Sequence, residues 1–174
     1  MKKTIVLIIL AVYIASIAVV NFFGLEVKIF DGITYVTGIQ CDTITFHGDN
    51  SKVIPPAQYT GKDKNTPQFV FDFIPAPDGT EYTADPESLN TNPNVVQINY
   101  EVMPHLADIT EVKYEYDKES GVAVYNEQYG YFIFLKPNRS LTVTIRAIDG
   151  SNISATIIIK GKYVENTNTP GNAN

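Results

Sequence analysis

The sequence is poor in the residues from which disulfide frameworks and metal centres are built. It has one cysteine, Cys41, two histidines, His47 and His105, and no tryptophan. A single cysteine excludes an intramolecular disulfide and a thiolate zinc cluster, because each needs at least two. Zinc needs three or four ligands, so His105 and Asp108, three residues apart, do not make a site by themselves. We therefore predict no metal site, and we expect Cys41 to be an inert free thiol, with an intermolecular disulfide as the alternative.

Motifs of nucleophilic catalysis are also missing. The sequence has no G-x-S-x-G or S-x-x-K stretch, and no cysteine paired with a plausible base. Carboxylates are plentiful, so a hydrolase that uses two of them is the enzymatic alternative. The richest stretch, "PDGTEYTADPESLN", lacks EF-hand spacing and is interpreted as a solvated loop; its possible oxygen ligands for calcium are Asp78, Glu81, Asp85 and Glu87. We predict that the protein is not an enzyme and uses no cofactor.

Basic residues are scarce outside the N-terminus. Without Lys2 and Lys3, 11 basic residues stand against 19 acidic ones, a net charge of −8. Nucleic-acid binding relies on Lys and Arg that neutralise phosphates, so this balance argues against it. It also argues against docking on anionic lipid headgroups by charge.

The first 24 residues are predicted to be an N-terminal signal-anchor helix outside the folded domain. Thr4–Phe23 is a run of 20 residues without a charged side chain, and a helix of that length spans about 30 Å, the hydrocarbon thickness of a bilayer. Lys2 and Lys3 precede the run, so the positive-inside rule predicts an extracytoplasmic C-terminal domain. The alternative is a signal peptide cleaved after Ser16 and Ala18, which would secrete the domain.

Alternating apolar and polar residues predict an all-β fold after the anchor. Residues 25–67 contain extra N-terminal strands and a polar, proline-rich loop, and residues 68–162 contain the strands of the main domain. Turn signals recur there at intervals of roughly ten residues, which is typical of an antiparallel β-sandwich. Residues 163–174 are small and polar and are predicted to be a disordered tail. Outside the anchor no window shows sustained helical periodicity.

The Asp-Gly pair in "RAIDGSNISATIIIKG" lies between two apolar runs whose core positions are all odd-numbered, 141–147 and 153–159. Directly opposite residues of an antiparallel pair share a face. The connecting loop must therefore hold an odd number of residues if both apolar sets are to reach the core. We predict a three-residue loop, residues 148–150, with Gly150 at positive φ and Ile145 opposite Ile153.

In that loop Asp149 is interpreted as a turn residue. A short acceptor side chain stabilises a turn at this position, so a metal-ligand or catalytic role is the less favoured alternative. Replacement of Asp149 by Asn is then expected to be nearly silent, whereas Gly150→Val is expected to strain the backbone.

Four stretches occur in a characteristic order between Val95 and Lys160. A core strand runs into "MPHLAD", and "VKYEYD", "GVAVYNEQYGYF" and the closing hairpin "LTVTIRAIDGSNISATI" follow. This order resembles the bacterial immunoglobulin-like domains of the group-2 type found in surface proteins and adhesins. Pro104 and Ala107 match the Pro-x-x-Ala loop of that family, and Tyr114 replaces its usual core tryptophan. The resemblance implies an Ig-like sandwich that presents a surface, and it transfers no catalytic residues.

These features predict a single-pass, membrane-anchored module for binding, adhesion or scaffolding at the cell surface. A protein or glycan partner is expected to bind through loops 48–67 and 75–94, which hold seven of the ten prolines. A Gly-Ser linker in place of loop 75–94 should leave the sandwich folded. An accessory subunit of an envelope membrane complex is the alternative, and a carboxylate-based hydrolase is the third. Further candidates for the contact surface are tyrosines at loops or strand ends: Tyr35, Tyr59, Tyr82, Tyr125 and Tyr129.

Overall fold

The computed structural model describes Val6 and residues 32–61, 64–77 and 79–163. Apart from Val6, the predicted anchor Thr4–Phe23 lies outside these residues, and so does the predicted tail after Tyr163. In the part of the chain that is described, no helix combines the length and the apolar character needed to span a membrane.

The described residues after residue 31 form ten strands and one short helix. The strands are β1 (Gly38–Phe46), β2 (Lys52–Ile54), β3 (Gln58–Thr60), β4 (Thr66–Phe73), β5 (Val95–Met103), β6 (Val112–Tyr116), β7 (Ala123–Asn126), β8 (Tyr131–Phe134), β9 (Ser140–Ala147) and β10 (Ser154–Tyr163). The helix, α1 (Pro86–Thr91), lies in the segment between β4 and β5.

The strands pack as two five-stranded sheets, which confirms the predicted β-sandwich in its general form. Sheet A has the order β2-β1-β5-β8-β7, and sheet B has the order β3-β4-β10-β9-β6. Neighbouring strands are antiparallel except for β4 and β10, which run parallel with Phe71 opposite Gly161. Strands from residues before 67 take part in both sheets, since β1 pairs with β5 in sheet A and β3 pairs with β4 in sheet B.

Aromatic rings from both sheets meet in the core. Phe46 on β1 and Phe134 on β8 extend from sheet A, and Phe71 on β4 extends from sheet B. The ring centroid of Phe71 lies 4.8 Å from that of Phe46 and 5.0 Å from that of Phe134. All three side chains are fully buried, and burial of a ring of this size contributes roughly 1.5–3 kcal/mol. The alternating faces of these strands therefore follow the apolar periodicity of the sequence.

The closing hairpin confirms the parity argument but not the predicted loop length. Strands β9 and β10 pair Ile145 with Ala155 and Val143 with Ile157, so the odd-numbered positions share one face. The register is two residues away from the predicted one, and the pairing of Ile145 with Ile153 is wrong. The loop spans five residues, 148–152, because the Ala147 N–H donates to the carbonyl of Ile153. Gly150 has φ +88°, as predicted.

Helix α1 occupies part of the segment predicted as an irregular loop, 75–94. Asp85 caps it by accepting a hydrogen bond from the Ser88 N–H at 2.9 Å, and Pro86 occupies the first helical position. Both residues favour a helix start at these positions. The helix has only six residues, which is too short to produce a recognisable periodic pattern.

Gly161 generates a test of the parallel strand pair. A Cβ at this position would lie 2.9 Å from Phe71 Cζ and 3.1 Å from Phe73 Cδ2, and both rings are buried in the core. We expect Gly161→Ala to lower the free energy of unfolding by about 1–3 kcal/mol, measured by chemical denaturation. Gly38→Ala is the control, because its Cβ would meet only the flexible end of the exposed Met103 side chain at 3.0 Å. Equal effects of the two changes would contradict the packing described here.

Candidate functional site

The two ends of the sandwich differ in how they are closed. Residues 34–37 join the sandwich beside the loops 104–111 and 148–152, and we call this end the entry pole. Here the Thr37 N–H donates to the carbonyl of Met103, the last residue of β5, at 2.7 Å. The segment 74–94, which precedes the first residue of β5, lies at the other end, the distal pole. Of the two loops predicted to bind a partner, 75–94 belongs to this segment, whereas 48–67 contains β2 and β3 and is not a single irregular loop.

Two carboxylates hold the chain at the entry pole. The Thr34 N–H donates to Asp108 Oδ2 at 2.5 Å, and the Asp108 N–H donates back to the carbonyl of Thr34 at 3.0 Å. The Val36 N–H donates to Asp149 Oδ2 at 2.5 Å, across 113 residues of sequence. Asp108 is thus engaged with backbone rather than with a ligand.

Asp149 combines the predicted turn role with a second role that the sequence did not indicate. Its Oδ1 accepts the Ser151 N–H at 2.9 Å and the Ser151 hydroxyl at 2.6 Å, which stabilises the turn. Its Oδ2 binds Val36, and the side chain is buried as a result. Hydrogen bonds from Ser151, with a further one from the Val36 N–H, hold the pKa of the Asp149 carboxyl below its ordinary value.

The second role changes the expected effect of Asp149→Asn. The variant places an NH₂ group among backbone and hydroxyl donors, so we expect lower stability at neutral pH rather than a silent change. Because the folded-state pKa of Asp149 lies below the ordinary 3.8, its contribution is fully present above that pH. It is lost as the pH falls through the folded-state value.

Thermal unfolding from neutral pH down into strong acid measures this difference. The gap between wild type and Asp149→Asn should narrow as the pH falls below 3.8. Asp72→Asn, at an exposed position of β4, is the control and should track the wild type throughout. Equal midpoints for Asp149→Asn and wild type at neutral pH would refute the role assigned to this carboxylate.

Two buried asparagines close the distal pole. Asn94 accepts the Ile74 N–H at Oδ1 and donates from Nδ2 to the Ile74 carbonyl, both at 2.8 Å, so its amide pairs with Ile74 as a neighbouring strand would. Asn92 donates to the Phe134 carbonyl at 2.7 Å and accepts the Asn94 N–H at 2.8 Å. The two ends of the segment between β4 and β5 are therefore tied to each other and to β8.

This segment is a packed cap rather than a dispensable loop. Tyr82 is only 8% exposed, and its ring lies 6.2 Å from that of Phe73. Replacing all of 75–94 would remove this ring together with Asn92 and Asn94, which are 4% and 0% exposed. We therefore expect a Gly-Ser linker in place of 75–94 to destabilise the sandwich, which differs from the expectation drawn from the sequence. Only the outward side chains of the segment are open to a partner.

Asn94→Ala tests the closure of this cap. The change leaves the Ile74 N–H and carbonyl without their side-chain partner in a buried setting, which costs about 1–3 kcal/mol for each group. We expect a lower free energy of unfolding and faster amide exchange across 75–91, measured by denaturation and by hydrogen–deuterium exchange. Asn90→Ala, on the exposed side of α1, should change neither. Unaltered exchange in Asn94→Ala would show that the cap does not depend on this amide.

The possible calcium ligands Glu81 and Asp85 line one depression at the distal pole, and Glu87 lies in the first turn of α1. Asp85 is used as the cap of α1, and Asp78 lies outside the described residues. His47 is within hydrogen-bond distance of Ser51 Oγ at 3.1 Å and of Gln97 Oε1 at 3.4 Å. Among the residues described, no group of three or more His, Cys, Asp or Glu side chains is arranged to hold a metal ion.

Cys41 is a free, buried thiol that is 7% exposed. Burial, reinforced by the neighbouring Asp42 carboxylate, raises the pKa of the thiol to about 12. The thiol therefore stays protonated at neutral pH, and the protonated form is a poor nucleophile and a poor metal ligand. This agrees with the expected inert cysteine.

The five candidate tyrosines do not form one surface. Tyr82 is buried in the cap, and Tyr125 is half-buried against Tyr114, with ring centroids 4.9 Å apart. Burial raises the pKa of Tyr114. Tyr59 lies on β3 in sheet B, whereas Tyr129 lies in the β7–β8 turn of sheet A, and both are more than half exposed.

Sequence reasoning missed a polar surface on the outer face of sheet A. Asn99 Nδ2 donates to Thr43 Oγ1 and to Thr45 Oγ1, each at 3.0 Å. Gln97 and Glu101 lie on the same side of β5 as Asn99, since they are two residues away from it on either side. The polar alternation of β1 and β5 was visible in the sequence, but it was interpreted only as the solvent side of two strands.

Comparison of the chain with protein-family models, with curated proteins and with solved structures finds no match.

Proposed function

We propose that the protein is a membrane-anchored, extracytoplasmic Ig-like module that binds a partner at the cell surface. The observation that carries this proposal is the division of the last six strands between the sheets. Strands β5, β8 and β7 lie together in sheet A, and β6, β9 and β10 lie together in sheet B. In the Ig fold strands B, E and D likewise share one sheet and C, F and G share the other, so β5–β10 correspond to B–G in order.

Two local features support the resemblance to the group-2 bacterial family. The Ala107 N–H donates to the Pro104 carbonyl at 3.0 Å, which closes the Pro-x-x-Ala turn, and Ala107 is buried. Tyr114 lies on β6, the strand that corresponds to C, and its ring contacts Phe132 with centroids 5.6 Å apart. A tyrosine in place of the usual tryptophan thus still packs against the opposite sheet.

Binding is favoured over hydrolysis because several carboxylates have structural partners. Glu115 accepts hydrogen bonds from Nε and Nη2 of Arg146 at 3.0 and 3.1 Å. These bonds, together with one from Lys113, hold the pKa of Glu115 at about 2. Asp108 and Asp149 bind backbone N–H groups, and Asp85 caps α1. Glu115 and Asp149, whose pKa values are held below the ordinary range, are unsuited to act as general acids.

The membrane attachment rests on the uncharged run Thr4–Phe23 and the preceding Lys2 and Lys3. We expect full-length protein with an intact N-terminus in the membrane pellet and cleavage of the domain by protease added outside intact cells. A variant without residues 4–23 is the control and should leave the membrane fraction. A mature N-terminus at Val19 would reject the anchor in favour of a cleaved signal.

Crosslinking in membranes followed by mass spectrometry tests the function itself. Crosslinks from the domain surface to a partner support a binding module. A partner crosslinked only through residues 4–23 would instead identify an accessory subunit of an envelope complex. The crosslinked residue on this protein is the deciding readout, because both outcomes give membrane-associated complexes.

A further inference from the structure

The register of sheet A places one continuous row of side chains across its outer face. Thr45 lies opposite Val53 on β2 and opposite Gln97 on β5, and Asn126 on β7 lies opposite Tyr131 on β8. Val95 is opposite Ile133, so Gln97 and Tyr131, each two residues further along, face the same side. With strands about 4.8 Å apart, this row over five strands measures about 19 Å.

A bulge in β1 widens the polar part of this face. Gln40 pairs with Glu101 and Thr43 pairs with Asn99, so β1 uses three residues where β5 uses two. Gln40 and Thr43 therefore both face outward although they are an odd number of residues apart. Bulges often redirect side chains next to functional sites.

The polar groups of the face retain hydrogen-bonding capacity toward a ligand. Thr43 and Thr45 each accept an N–H from Asn99 at their hydroxyl oxygens, which leaves both hydroxyl protons available as donors. Among the described residues, the contacts found for Asn99 use only its NH₂ group, so its Oδ1 is available as an acceptor. Hydrogen-bond donors on Thr43 and Thr45 therefore lie within a few ångströms of an acceptor on Asn99.

An aromatic platform adjoins these groups. The rings of Tyr129 and Tyr131 are stacked, with centroids 5.6 Å apart and planes 10° from parallel. Tyr129 is 61% exposed. Exposed tyrosine combines a flat apolar surface with a polar hydroxyl, which suits a ligand whose rings have an apolar face and a hydroxylated rim.

The charge of the outer face of sheet A further limits the classes of ligand that it can bind. A depression of about 390 Å³ lies over β1 and β5 and is lined by polar residues that include Asp42 and Glu101. None of the lining residues is Lys or Arg, so an anionic ligand would meet two carboxylates without a compensating cation.

We propose that the outer face of sheet A binds a neutral glycan chain, with the sugar rings on Tyr129 and Tyr131 and the hydroxyl groups on Thr43, Gln97 and Asn99. This inference rests on the proposed binding function and names the class of its ligand. The glycan would lie across the strands, over this row and the neighbouring pair of Thr43 and Asn99.

The test uses full-length protein in detergent micelles and an array of neutral oligosaccharides built from glucose, N-acetylglucosamine or mannose. We expect binding to at least one neutral series and loss of about tenfold or more in affinity for both Tyr129→Ala and Asn99→Ala. Tyr59→Ala removes an equally exposed tyrosine from sheet B and should bind as the wild type does. Unfolding midpoints of all variants exclude loss by misfolding.

Three outcomes would overturn the inference. They are binding to none of the neutral oligosaccharides, binding only to anionic ones, and binding that is insensitive to both sheet A changes. A protein partner crosslinked through another surface, combined with no glycan binding, would reject the glycan inference while leaving the proposed binding function in place.

Discussion

The contact of Phe71 with Phe46 and Phe134 joins the two sheets, and the rest of the molecule is arranged around it. Phe71 comes from sheet B and the other two rings come from sheet A. The parallel pairing of β4 with the last strand places Gly161 beside the Phe71 ring, where no side chain fits. One face of each sheet packs in the core. The side chains on the opposite face must then point outward, because side chains alternate along a strand. The polar outer face of sheet A follows from that constraint.

The features that could be predicted from the sequence are those that depend on local periodicity. The odd-numbered core positions of β9 and β10 required a loop with an odd number of residues, and the structure has one. The length of that loop depends on the position at which the Asp149 carboxylate accepts a hydrogen bond from the Val36 N–H. That partner is far away in sequence and leaves no local signal. The same holds for Asn94, whose partner Ile74 belongs to another strand end. The β1 bulge does leave a mark, because the inward apolar positions change from odd numbers (Ile39, Cys41) to even numbers (Ile44, Phe46), but the sequence analysis did not use this change.

The two poles and the outer face divide the structural and recognition roles. Carboxylates at the entry pole and asparagine amides at the distal pole satisfy buried or partly buried backbone groups, which would otherwise cost stability. These polar side chains are therefore structural although they lie in loops, where function is often sought. The outer face of sheet A has the opposite character, since its amides and hydroxyls bond mainly to each other and remain accessible. Loop position alone is therefore no evidence that these polar side chains are free to bind a partner.

Strand register is the central claim, because a slip of one residue would exchange the inner and outer faces. Interstrand nuclear Overhauser contacts in the isotope-labelled full chain measure it directly. The structure predicts contacts of Thr45 with Gln97 across β1 and β5, and of Gly161 with the Phe71 ring across β4 and β10. Contacts of Thr45 with Ile98 as its direct partner, or an absence of contacts between Gly161 and Phe71, would contradict the fold and the face assigned to the ligand.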